Sequence, residues 1–172
     1  MSRMPERKGV LFFDTVTLSN FALAGFLSVL ITRYGRRVRV THEVFDEIMD
    51  GIVSGYSALT EVEELIQNGQ FSQAGPLTRR EREIFRELLR TLAPGEAACI
   101  ACAKEREGVV VTDDRAARNC CIEQNVRFTG TIGILKACCR DRVLLPEKAD
   151  AILQAMIEAG YHSPVRRISD LI

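Results

Sequence analysis

The 172-residue chain carries no net charge, because 23 Lys and Arg balance 23 Asp and Glu. That balance removes any global electrostatic case for binding nucleic acid and leaves room only for a local basic rim around a site. No apolar run approaches the roughly 20 residues that span a bilayer. FALAGFLSVLI is too short and too amphipathic, so no membrane partner is expected and the cytoplasm is the expected compartment. The two histidines, His42 and His162, are isolated; neither supports a zinc site or a catalytic triad, and His42 stays only as a candidate substrate contact. Repeats and low-complexity segments are absent. The basic start MSRMPERKG runs straight into an apolar strand, so a cleaved leader is not expected.

What is present is ordinary for a globular chain: 47% hydrophobic and 27% charged residues. The length suits one domain over 1–172, with a core over about 9–140 and a C-terminal helix and tail over 146–172. Six cysteines fall as Cys99 and Cys102, Cys120 and Cys121, Cys138 and Cys139. A chain with this much core does not need disulfides, and the Cys99-x-x-Cys102 pair lies inside a predicted helix rather than at its start, where thiolates are stabilised. Reduced, packed thiols are expected.

Strand-like and helix-like segments alternate. Val10 to Phe13 is a continuous apolar run of the kind buried on both faces of a parallel sheet. Helical spacing follows over 17–32, closed by Gly35, and RVRV at 37–40 reads as a second strand. THEVFDEIMDG reads as a helix capped by Thr41 and ended by Gly51. A polar helix is placed over 55–68, then a turn-rich stretch. Residues 77–92 form a helix with a Thr78/Glu81 capping box and Ile84, Phe85, Leu88 and Leu92 inward. APGEAACIACAKEREG is the next, with Pro94 in its first turn and Gly108 as its stop. VVVT at 109–112 is the clearest strand. A helix through Cys121, the strand VRF, the helix GTIGILKACC and a helix over 146–160 complete the chain. This order predicts an α/β fold: a three-layer α/β/α sandwich on a mostly parallel sheet of four strands.

Acidic residues recur where such strands end and helices begin. Asp14 ends the first strand, Glu47 lies in the helix after the second, Glu96 is in the first turn opened by PGE, and Asp113 and Asp114 follow VVVT. The carboxyl ends of strands in open α/β sheets face the ligand crevice. Each acid taken alone is also a plausible helix cap. Glu47 is the more informative, because VFDEI sets it beside the inward Val44 and Ile48 while Asp46 and Asp50 are free to face solvent. A carboxylate bordering a core needs a partner, and a magnesium-like cation shared among carboxylates would point to phosphate chemistry.

In order, FFDTVTLSNFALAGFL, THEVFDEI, LTRREREIFRELLRTLAPGEAACIACA, VVVTDDRAARN and VRFTGTIGIL resemble a PIN domain over roughly 9–140, most closely the stand-alone prokaryotic PIN proteins related to the toxin half of toxin-antitoxin pairs. The resemblance implies a ribonuclease whose acidic pocket binds Mg2+ or Mn2+. Position by position it implies Asp14, Glu47, Glu96 and Asp114 as the catalytic acids, with Asp14, Glu96, Asp114 and Asp113 as metal ligands. The family's threonine corresponds to Thr112. RNA, an antitoxin protein and a second copy in a homodimer are the implied partners. Arg115 and Arg118, opening the helix after Asp114, are candidate contacts to the substrate phosphate. Many relatives carry serine or asparagine two residues after the first aspartate. This chain has Val16 there, with Thr15, Thr17, Ser19 or Asn20 as candidate replacements.

Two alternatives stand beside that reading. FFDTVTL superficially resembles the opening of haloacid-dehalogenase-type phosphatases, but their second aspartate would fall at Val16. A protein that binds RNA or a partner without cleaving it is the other, and Val16 is its main support.

Overall fold

A computed structural model describes residues 9–172. The basic start at 1–8, and with it the expectation about a leader, lies outside the described residues. Five strands form one parallel sheet: β1 (Leu11–Phe13), β2 (Val38–Val40), β3 (Ser72–Gln73), β4 (Val109–Val111) and β5 (Arg127–Thr129). Their order is β3-β2-β1-β4-β5. The chain thus winds outward from β1 to one side, then returns and winds to the other, which makes the gap between β1 and β4 the switch point of the sheet. Register there is tight: Phe13 pairs with Val111, and Asp14 N–H donates to Val111 O at 3.0 Å.

Helices flank the sheet as the α/β/α sandwich requires. After β1 come α1 (Thr15–Leu23) and α2 (Leu27–Arg33), where the sequence predicts one helix over 17–32. The two are bent by 112°. Gly25 supplies the break: it takes a left-handed φ of 80°, and Phe26 N–H closes back on Phe21 O at 2.8 Å, a helix-ending geometry that a side-chain-bearing residue adopts only with strain. Among the described residues no single helix is long and apolar enough to cross a membrane.

The third helix, α3 (His42–Val53), runs past Gly51, the predicted stop. Gly51 stays helical because Leu59 Cδ1 occupies the space where its Cβ would lie; it is a close-packing glycine. The predicted helix over 55–68 is a short 3-10 turn, Ser57–Leu59, leading into α4 (Thr60–Gln67). The fifth strand, β3, was expected to be turn; two residues at a sheet edge are too short to leave a hydrophobic pattern.

Next, α5 (Arg79–Leu88) carries the predicted capping box but is shorter than 77–92. Leu88 and Leu92 are buried, whereas Ile84 and Phe85 are only half-buried. Glu81 is buried instead, 1% exposed, because Arg106 meets both its oxygens at 2.6 and 2.9 Å while Thr78 N–H donates to Oε2. α6 (Pro94–Glu105) is the central helix, buried from Gly95 to Ala103 except for half-buried Glu96 and packed on β1, β4, α3, α5 and α7. Its run of Ala and Cys is what lets so many neighbours approach. Cys99 and Cys102 are fully buried in it, and all six cysteines are free thiols. The remaining helices are α7 (Arg115–Glu123), α8 (Thr131–Arg140) and α9 (Pro146–Glu158).

The C-terminal tail packs on the domain. Ile168 is fully buried, and Asp150 on α9 accepts from the Ile168 and Ser169 N–H groups at 2.6 and 2.9 Å and from the Ser169 hydroxyl at 2.6 Å.

Candidate active site

Four acids reach the carboxyl edge of the sheet, and each is fixed by a helix start. Asp14, the residue after β1, caps α1: its Oδ1 accepts from Thr17 N–H at 2.8 Å. Asp114, after β4, caps α7 through Ala117 N–H at 2.8 Å. Glu96 Oε2 accepts from Ala93 N–H at 3.3 Å across the first turn of α6. Glu47 lies one turn into α3 and reaches across to α6, where Gly95 N–H donates to Oε1 at 2.9 Å, while the Thr15 hydroxyl donates to Oε2. Carboxylates at helix N-termini are stabilised by the unpaired main-chain donors and the positive end of the helix dipole. The cap reading and the site reading therefore describe the same atoms.

Electrostatics join the four. Asp14 is 2% exposed, and burial raises its carboxyl above the ordinary value; the nearby Thr112 and Thr17 hydroxyls and the Thr17 N–H oppose that rise, and the charge of Asp113 adds to it. Glu96 is raised by burial and then by the charges of Asp114, Asp14 and Glu47, with the Ala93 N–H opposing. Raised carboxyl pKa values in a cluster mark negative charge held without compensation.

Asp113 has a different environment. Its carboxylate accepts from Thr131 N–H at 2.9 Å and from the Thr131 hydroxyl at 2.5 Å, and Arg118 Nη2 approaches it at 3.4 Å. It ties the β4 turn to the start of α8. Arg118 is likewise committed, donating from Nε to Thr112 O at 2.9 Å and lying over the Phe128 ring at 5.6 Å. Arg115 is exposed and forms no ion pair among the described residues. The Thr112 hydroxyl accepts from Asp114 N–H at 3.2 Å, so one buried threonine positions both aspartates.

The polar neighbours of Val16 divide the work. Val16 itself is 61% exposed. Thr15 holds Glu47, and Asn20 donates to the Thr131 hydroxyl at 3.3 Å. Sequence reasoning gave Gly95 no role, yet a Cβ there would lie 2.5 Å from Glu47 Oε2. Tyr161 in the tail was also missed; its hydroxyl, pushed up to about 12 by burial, lies beside Asp113, Thr131 and Arg118. A glycine directly before the acid in PGE was the available clue to the first, and nothing local marks the second.

Among the described residues, no three Asp, Glu, His or Cys side chains are gathered tightly enough to hold a metal ion as they stand. The donor chemistry nevertheless fits a hard divalent cation: every candidate donor is a carboxylate oxygen, and the raised pKa values of Asp14 and Glu96 are what a cation would relieve. A family model described as a PIN domain matches residues 10–172. No curated protein matches the chain.

Proposed function

The chain belongs to the PIN-domain family, and from that membership we propose that it is a metal-dependent endoribonuclease acting at the acidic rim between β1 and β4. The observation that carries the reading is the convergence of four acids from four separate segments at the switch point of the sheet, where Glu96, raised first by burial, is raised further by the charges of Asp114, Asp14 and Glu47. Asp14, Glu96 and Asp114 would hold a Mg2+ or Mn2+ ion, with Asp113 beside them. Such an ion supplies Lewis acidity at a phosphate and lowers the pKa of a water.

The chain's own residues have distinct parts. Glu96 keeps Oε2 on Ala93 N–H and leaves Oε1 for the ion the acids would hold. Thr15 and Gly95 hold Glu47 facing the others. Thr112 sets the spacing between Asp14 and Asp114. Arg115, exposed at the first turn of α7, is free to meet the substrate phosphate, whereas Arg118 orients the Asp113 turn. The reading extends to a toxin paired with an antitoxin protein, acting in the cytoplasm as a homodimer.

The test is cleavage of a mixed-sequence single-stranded RNA in Mn2+, Mg2+ and chelator, with a folded Asp14→Asn, Asp114→Asn variant alongside. Cleavage that needs the metal and vanishes in the variant supports the proposal. Retained RNA binding without cleavage favours a second reading, a PIN protein that binds RNA and does not cut it, for which the exposed Val16 is the specific observation.

A further inference from the structure

Thr131, the first residue of α8, is buried, and its hydroxyl stands where three segments meet. A threonine hydroxyl donates one hydrogen bond and accepts two. Here it donates to Asp113 Oδ2 at 2.5 Å, in the turn after β4, and accepts from Asn20 Nδ2 at 3.3 Å, on α1. The Tyr161 hydroxyl, from the tail, lies beside it. α1 is the helix that Asp14 caps, and Asp113 immediately precedes Asp114, the cap of α7. One hydroxyl thus ties the helix of the first aspartate and the turn of the last to the same point on α8.

Asp113 is committed to that link. Its Oδ1 accepts from Thr131 N–H at 2.9 Å and from Arg118 Nη2 at 3.4 Å, while Oδ2 takes the Thr131 hydroxyl. At Gly130 a Cβ would lie 2.3 Å from Asp113 Oδ1 and 2.1 Å from Arg118 Nη2. The Gly130 backbone is extended, with φ at −140°, so its conformation does not call for glycine. The missing side chain is what lets α8 start this close to Asp113. Asn20 lies one helical turn beyond Val16 on the same face of α1, so the polar contact that an exposed valine does not offer is made from Asn20.

Resting on the metal site of the ribonuclease reading, we propose that Asn20 and Thr131 are positioning residues, which through α1 and Asp113 set the separation at which Asp14 and Asp114 grip one divalent ion. The cap bonds from Thr17 and Ala117 fix each aspartate to its own helix and say nothing of the distance between them. The bond from Asp14 N–H to Val111 O joins the strands beneath. The Thr131 hydroxyl joins the helix and the turn above. A small hard cation accepts little variation in ligand distance, and two carboxylates without it repel each other. Partners that orient the ligands of a metal are accordingly worth about 10–100-fold in affinity or activity.

The experiment titrates Mn2+ into wild type, Thr131→Val, Thr131→Ser and Asn20→Ala without RNA, reading the free ion by electron paramagnetic resonance. Thr131→Val keeps the shape and removes the hydroxyl, and should weaken Mn2+ binding by about tenfold. Asn20→Ala should shift it in the same direction, and Thr131→Ser, which keeps the hydroxyl, should restore wild-type affinity. RNA cleavage by Thr131→Val should be slow at limiting Mn2+ and approach the wild-type rate at saturating Mn2+, because the acids are intact. A role in stability alone would lower Tm and leave the Mn2+ dependence where it was. Unchanged Mn2+ affinity in a folded Thr131→Val overturns the proposal, as does a loss that Thr131→Ser shares or that excess Mn2+ does not correct. If Thr131→Val does not fold, the half-buried Asn20→Ala decides by the same readings. Cleavage lost in Asp14→Asn, with wild-type Mn2+ affinity in the Thr131 and Asn20 variants, overturns this inference and leaves the ribonuclease reading standing. Mn2+ binding that weakens in Thr131→Val, in a wild type that cuts no RNA, supports this inference and overturns that reading. A wild type that neither binds Mn2+ nor cleaves overturns both.

Discussion

Replacing Gly95 with alanine separates stability from activity at this site. In an ordinary helix the change is favourable by up to about 1 kcal/mol, because glycine loses more backbone freedom on folding. Gly95 is not in a left-handed conformation, so the alanine backbone is unstrained. The new methyl group, however, would lie 2.5 Å from Glu47 Oε2 and 3.0 Å from Oε1 and the carboxyl carbon. The carboxylate is the far end of a flexible side chain and retreats by about 1 Å, giving up the Gly95 N–H bond at 2.9 Å. A hydrogen bond to a charged group contributes about 1.5–3 kcal/mol. Set against the full helix gain, the net loss is about 0.5–2 kcal/mol, which for a chain of this size lowers Tm by about 1–8 °C. Cleavage should fall far more, by about 100-fold, since a displacement of about 1 Å in a catalytic group has that order of effect. Single-turnover cleavage of one RNA, paired with a thermal melt, reads both numbers. Wild-type cleavage rates in a folded Gly95→Ala variant would refute the claim that this glycine exists to seat Glu47.

Three further outcomes are expected. Asp14→Asn keeps the α1 cap, for which asparagine is as good as aspartate, and removes a buried charge whose pKa is raised. A raised folded pKa means the ionised group destabilises the fold above its unfolded pKa. At pH 7.5 in chelator the variant should therefore melt at least as high as wild type while losing cleavage, and a Tm lower by more than about 4 °C, roughly 1 kcal/mol or more, contradicts this. Asp150 works with the opposite sign: its carboxyl, lowered to about 2 chiefly by the Ser169 hydroxyl, stabilises the tail above its ordinary 3.8 and loses that contribution as pH falls from there through about 2. The protection factors of the Ile168 and Ser169 amides, which take out the intrinsic pH dependence of exchange, should fall in that window and stay constant between pH 5 and 8. Finally, Arg115→Ala should leave Tm unchanged and reduce the salt slope of RNA binding by about one, whereas Arg118→Ala should lower Tm by removing its bonds to Thr112 and Asp113.

The residues most legible in the sequence were those whose partners are three or four positions away. Asp14, Thr41, Thr78 with Glu81, and Asp114 all cap the helices that their spacing predicts, because a cap is a local arrangement of one side chain and the next turn. Glu47 was legible as a half-buried acid, since Val44 and Ile48 are buried beside it while Asp46 and Asp50 are exposed. Its partners were not, because Thr15 and Gly95 lie 32 and 48 residues away. The burial of Glu81 was hidden for the same reason: Arg106 is 25 residues on, and the charge alone argues for a surface position. The bend at Gly25 and the edge strand Ser72–Gln73 escaped for want of length, one being a single left-handed residue inside an apolar pattern and the other a pair of residues with no pattern.

The anchoring of each acid by main-chain N–H groups bears on how the four can stand together before any ion is bound. Asp14, Glu96 and Asp114 are tied to the first turns of their own helices, and Glu47 to the first turn of α6. Like charges that would otherwise drive the loops apart are thus held by bonds that form as the chain folds. On the proposed reading, synthesis and storage would need no cation, and a chelator would stop cleavage without unfolding the protein. Supply of the ion would then act as a throttle on a finished molecule.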